Sequence, residues 1–220
     1  MDNSGGRRLL GEIIATSYSS FKVESYELNS TPSLGALVIA QNVLGVVCAA
    51  HTEGLGPISA KGSLDGEDGS VYDLYPDLQR TLRSQFDAIV VGCFDETRPH
   101  SSPPLYTYPE CPPHVHYKCW LGSTNELVRF TDSPDYIRLL LYSEDGEGNV
   151  DQVIIHLIVQ AYRARLNDRA WLGMTAEYLG RQLKGQYDRL LAILKTLDAL
   201  TEESRPTREE LPLSVGKVKF

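Results

Sequence analysis

A chain of 220 residues, 42% hydrophobic and 23% charged, has the makings of one large or two small globular domains. Its net charge of −8 disfavours indiscriminate binding to a polyanion. No apolar run reaches the roughly 18 residues a membrane helix needs; the longest, Val153–Val159, is interrupted by His156. Four cysteines, Cys48, Cys93, Cys111 and Cys119, form no dense disulfide framework, and a reducing cytoplasm is the expected location.

In chain order, residues 1–8 lack the apolar core of a signal peptide and predict a disordered leader. From Leu9 the chain reads as β-structure. Gly11–Tyr18 opens an extended run. Phe21–Leu28 then alternates, with Phe21 and Val23 on one face and Lys22, Glu24 and Tyr26 on the other. Leu34–Ala40 and Val43–Ala50 are short apolar runs bounded by turn residues. Four such segments predict a small antiparallel barrel, which leaves no free sheet edge. Thr52–Gly69 reads as a glycine-rich acidic loop, and Ser70–Tyr75 as a helical turn stopped by Pro76. Thr81–Phe94 supplies one or two further strands and closes the expected barrel at about residue 100.

The prolines between Pro99 and Pro113 predict an extended connector over 101–120. Helices follow over 121–203. Ser123 with Glu126 is a capping-box pattern, and Ser133-Pro134 opens a second helix. A third spans roughly Val150–Asn167. A fourth spans roughly Met174–Thr201, on the three-and-four spacing of Leu179, Leu183, Leu190, Leu194 and Leu197. Residues 204–220 read as a charged, proline-broken tail. The expected class is α+β: an N-terminal antiparallel barrel over 9–100, then a helical module. The charge runs from −6 over residues 1–100 to +2 over 151–220. With the proline-rich boundary, this predicts two separable units.

Leu10–Thr16, Phe21–Leu28, Pro32–Val38, Gly45–Val47 and Thr52–Pro57 together resemble the HAS-barrel family, the β-barrel shared by HerA-type DNA translocases and rotary ATP synthase subunits. Phe86–Gly92 resembles that family's closing strand. The resemblance covers about the first 100 residues and rests on glycines and apolar positions, with Gly11, Gly35 and Gly45 read as structural. It implies a barrel that caps a larger assembly or docks partners. This chain departs from the family pattern because no ATPase domain follows the barrel. It is most similar to short stand-alone members, of a kind associated with cyanobacteria.

Catalytic motifs are sparse. Gly56–Ser63 holds phosphate-loop letters in the wrong order, and Pro57 removes an amide, so no nucleotide cofactor is expected. There is neither a nucleophile elbow nor a His-Glu-x-x-His pair. Asp65, Glu67 and Asp68 lack the spacing of a calcium loop. One constellation is sharp: Cys111, His114, His116 and Cys119 are the right ligand types for tetrahedral zinc. Four ligands on one short extended segment wrap a metal badly, however. The preferred reading is a strand, Val115–Trp120, with Cys119 buried and no metal.

Arg163, Arg165 and Arg169, with Trp171 beside them, form a basic turn between helices. Their plain reading is a solvated helix face, with Trp171 used in helix packing; in the sharper reading they are the candidate partner-binding residues, offering charge steering and an exposed aromatic anchor. The function expected is a non-enzymatic interaction or assembly protein that docks on a larger protein complex. An accessory factor to a DNA-processing translocase or nuclease system is the alternative.

Overall fold

The computed structural model describes residues 7–54, 56, 77–95, 97, 102–143 and 150–202. The Ser70–Tyr75 turn, the acidic loop beyond Gly56, residues 1–6 of the leader and the tail lie outside the described residues.

Six strands close into an antiparallel barrel: β1 (Leu9–Thr16), β2 (Ser20–Ser25), β3 (Leu37–Ala40), β4 (Val43–Gly54), β5 (Leu82–Cys93) and β6 (Lys118–Leu121). Their order around the wall is β1-β2-β5-β4-β3-β6. The expected α+β architecture, barrel first and helices after, is the observed one. Closure comes from an unexpected place. Thr81–Phe94 supplies a single strand, β5, which pairs with β2 and β4. The strand that seals the barrel is β6, from beyond the proline-rich run; it bridges β1 and β3. The strand expected over Val115–Trp120 overlaps β6 at Lys118–Trp120, but its place as the closing strand of the barrel is legible only through its partners.

Two hydrophobic clusters hold the molecule. One fills the barrel, where Ile13, Phe21, Val23, Val38, Val47, Phe86, Val90 and Cys119 pack together. At Gly45 an added Cβ would come within 2.7 Å of the Phe21 ring, so glycine is what lets that ring occupy the barrel's interior. The other cluster lies outside the wall. There Leu37, Ile39, Leu44, Val46, Ile89 and Val91 meet the helices.

The helices are α1 (Leu78–Thr81), α2 (Thr124–Phe130), α3 (Tyr136–Leu141), α4 (Val150–Ala164), α5 (Arg169–Gln182) and α6 (Tyr187–Glu202). The Ser123–Glu126 capping box forms as expected. Arg7 ties the start of the chain to it, donating from Nε to Glu126 Oε2 at 3.1 Å. Helix α4 is the spine, with eight buried apolar or aromatic side chains from Val153 to Tyr162. Its backbone lies against Gly35, whose φ of +74° and close approach to Leu157 N exclude any side chain. Gln160 Nε2 donates to Leu34 O at 2.8 Å across the same contact.

One expectation needs correction here. The predicted fourth helix, Met174–Thr201, is two helices. The chain turns at Leu183–Gln186, where Gly185 takes a φ of +91°, a conformation that ends a helix and that the leucine spacing conceals. The two units expected to be separable share one continuous hydrophobic cluster, between the outer barrel wall and the helices, so the proline-rich run joins parts of a single core.

Candidate functional site

Among the described residues, the helices pack on the β3–β4–β5 side of the barrel. The opposite wall, built on β1, β2 and the start of β5, faces solvent, and strand alternation decides what it presents. With Ile13, Phe21 and Val23 inside, Glu12, Lys22 and Glu24 must lie outside. Register then lines polar residues across five strands: Lys118 opposite Glu12, Glu12 opposite Glu24, Glu24 opposite Gln85, and Gln85 opposite His51. Two carboxylates directly across a strand pair repel, and each has a nitrogen-bearing side chain beside it. His116 Nδ1 lies 2.7 Å from Glu12 Oε1, and Arg83 Nε lies 3.1 Å from Glu24 Oε1. Gln85 Nε2 donates to Glu24 Oε2 at 3.4 Å.

Glu12, Glu24, Arg83 and His116 border an open groove of about 430 Å³ that also takes in Ile14, Tyr26, Leu28 and Leu82. Tyr26 is 55% exposed. Its phenol is pushed above the usual range by burial of its inner edge, then by the charge of Glu12 and a hydrogen bond to it. Lys22 and Asp87 extend the pattern with a pair at 3.7 Å. The wall therefore offers matched charges, a phenol and a strip of apolar surface, which is the chemistry of recognition.

The cysteine–histidine segment divides. Cys119 is fully buried inside the barrel, and burial pushes its thiol up to about 12, the wrong direction for a thiolate ligand. His114 and His116 are exposed at the barrel's rim, His116 turned onto Glu12 with a φ of +69°. Cys111 is exposed and borders a second groove, of about 480 Å³, with Cys93, Asp95, Glu110 and His114. Burial, followed by the charges of Asp95 and Glu110, raises the Cys93 thiol. Among the described residues no group of three or more His, Cys, Asp or Glu side chains is placed to hold a metal ion.

The basic turn also divides. Trp171 is 6% exposed, so the expectation of an exposed anchor is corrected: the indole is core, and its Nε1 donates to Thr131 O at 3.0 Å. Arg165 is core as well. Its guanidinium donates to Thr131 Oγ1 at 2.8 Å and to Asp132 Oδ1 at 2.7 Å, and it stacks 4.6 Å over the Trp171 ring. It completes the C-terminus of α2, where Thr131 is the cap. Arg163 and Arg169 are exposed. Spacing alone could not separate the two kinds of arginine, because the partners of Arg165 lie 33 and 34 residues away.

The sequence by itself does not mark Glu12, Glu24, Arg83 and His116 as a group. Each is an ordinary polar residue in its own segment, and only the register unites them. Comparison with protein-family models finds no match, and no curated protein matches the chain.

Proposed function

We propose that this protein is a non-enzymatic interaction or assembly protein that docks on a larger protein complex through the open wall of its barrel. The observation that carries the reading is the asymmetry of the wall. One side is sealed under helices in a shared hydrophobic cluster, while the other keeps a broad groove bordered by Glu12, Glu24, Arg83, His116 and Tyr26. The interior is filled by side chains, so small-molecule storage in the barrel finds no support. The resemblance to HAS barrels, which dock on or cap larger assemblies, supports the same reading. The overall charge of −8 favours a protein partner over direct contact with nucleic acid. An accessory role in DNA processing would use the same wall against a translocase or nuclease subunit.

The test is quantitative capture from native extract with three full-length baits: wild type, Lys22→Glu with Tyr26→Ser, and Lys195→Glu on the exposed side of α6. Partners that depend on the barrel wall are lost with the double substitution and kept with Lys195→Glu. A captured set indifferent to the wall substitution refutes the docking surface. ATP synthase or other assembly subunits among the lost proteins favour the first reading, and nuclease or translocase subunits favour the second.

A further inference from the structure

The turn between α4 and α5 is built to hold a leucine out in water. Leu166 is 91% exposed, the most exposed large apolar side chain among the described residues. It and Asn167 both take left-handed backbone angles, φ +54° and +64°, with no glycine to ease the turn. The turn is rigid in spite of this. Asn167 N donates to Tyr162 O at 3.0 Å, Arg165 is locked against Thr131 and Trp171, and Asp168 caps α5 through Ala170 N and Trp171 N. A preorganised apolar knob loses little freedom on binding.

A hole adjoins the knob. Tyr162 and Arg169, on either side of the turn, also border a groove of about 250 Å³ between α5 and α6. Gly173 and Ala176 line it, and a Cβ added at Gly173 would meet nothing within 4 Å. Its charged edges are Arg169, Asp198 and Glu202. Knob and groove share the residues of one turn, and both signs of charge border the groove, which are the ingredients a two-fold pairing of copies needs. Met174, 62% exposed, adds apolar area beside it.

We propose that a second copy of this chain covers this surface: the protein forms a two-fold dimer in which Leu166 of each copy seats in the α5–α6 groove of the other, with Arg169 facing Asp198 and Glu202 across the interface. This stands apart from the docking wall on the barrel.

Sedimentation analysis of the full chain over a concentration series tests it. Wild type is expected to show a concentration-dependent dimer. Leu166→Asn removes the knob with a residue that tolerates the left-handed turn, and Gly173→Leu fills the hole; each is expected to weaken the dimer about tenfold or more. Circular dichroism of each variant monitors the fold, and Leu166→Asn alone decides the question if Gly173→Leu misfolds. Mixing the two variants gives the sharpest signature. The knob of one then meets the open hole of the other, so the mixed pair associates more tightly than either variant with itself. A wild-type monomer at every concentration, a dimer that Leu166→Asn does not weaken, or a mixture of folded variants no tighter than its components would overturn the proposal.

Discussion

Replacing Gly35 with alanine tests whether barrel and helices are one unit. The loop holding Gly35 presses directly on the α4 backbone: a Cβ there would sit 2.6 Å from Leu157 N and 2.9 Å from His156 C. Neither atom can rotate away, because both belong to the spine of the helical layer. Two costs add. The left-handed conformation at φ +74° costs alanine about 1 kcal/mol. Backing α4 off then weakens the Gln160–Leu34 hydrogen bond, worth about 1 kcal/mol, and loosens the packing beneath it. The expected loss is about 2–4 kcal/mol. Gly185→Ala is the control, since Gly185 also has a positive φ but nothing within 4 Å, and it should cost only the first term. Urea unfolding followed by fluorescence can report the two regions separately. Trp120 lies in β6 and Trp171 in α5, and they are the chain's two tryptophans. With Trp171→Phe or Trp120→Phe as background, Gly35→Ala should lower both midpoints together. A Gly35→Ala chain no weaker than Gly185→Ala, or one whose helical reporter unfolds while the barrel reporter is unmoved, would refute the single-core account.

Other perturbations probe single contacts. Tyr136 is fully buried and its hydroxyl has no hydrogen-bond partner among the described residues, so Tyr136→Phe should leave stability unchanged or raise it by up to about 1 kcal/mol in thermal melts. Arg165→Ala should cost about 2–3 kcal/mol, and Arg165→Lys should recover only part of it, whereas Arg163→Ala, at an exposed side chain, should cost no more than about 1 kcal/mol; equal losses at 163 and 165 would contradict the burial of Arg165. Cys111 is the one exposed thiol of four, so a thiol reagent should modify about one equivalent quickly and the rest only on unfolding. Burial pushes the Glu126 carboxyl up, but Arg7 and the Ser123 backbone and hydroxyl outweigh it and hold it below its usual 4.5. A carboxyl depressed in the folded state stabilises fully above its unfolded value and loses that contribution as pH falls through the lower folded one. Glu126→Gln should therefore flatten the fall of the urea midpoint below about pH 4.5.

How much of this was legible in the sequence depends on how local each signal was. The capping box at Ser123 is complete within four residues, and it formed as read. The buried and exposed sides of β2 followed from alternation alone. The break at Gly185 was hidden because leucines resume their helical spacing after it, and one glycine inside a periodic run does not announce a stop. Arg165 looked like its neighbours because its burial depends on a carboxylate, a hydroxyl and an indole from two other segments. The row through Glu12 and Glu24 needed the register of five strands, which no single strand encodes.

One long-range feature was present in the sequence all the same, in the contrast between strands. β2 alternates, so only one of its faces is apolar and its other face is fit for water. β3 reads Leu-Val-Ile-Ala, and the start of β4 is equally unbroken; all ten residues, Leu37–Ala40 and Val43–Cys48, are buried. A strand apolar on both faces inside a closed barrel must have something packed outside it, and the helices that follow supply the apolar surfaces for it. The strands themselves thus state which wall carries the helical layer and which stays open. The same contrast explains why the prolines mislead. They mark a surface path, but β6 lies beyond them in the barrel, so a chain that returns to its first sheet after such a path cannot have left a finished domain behind.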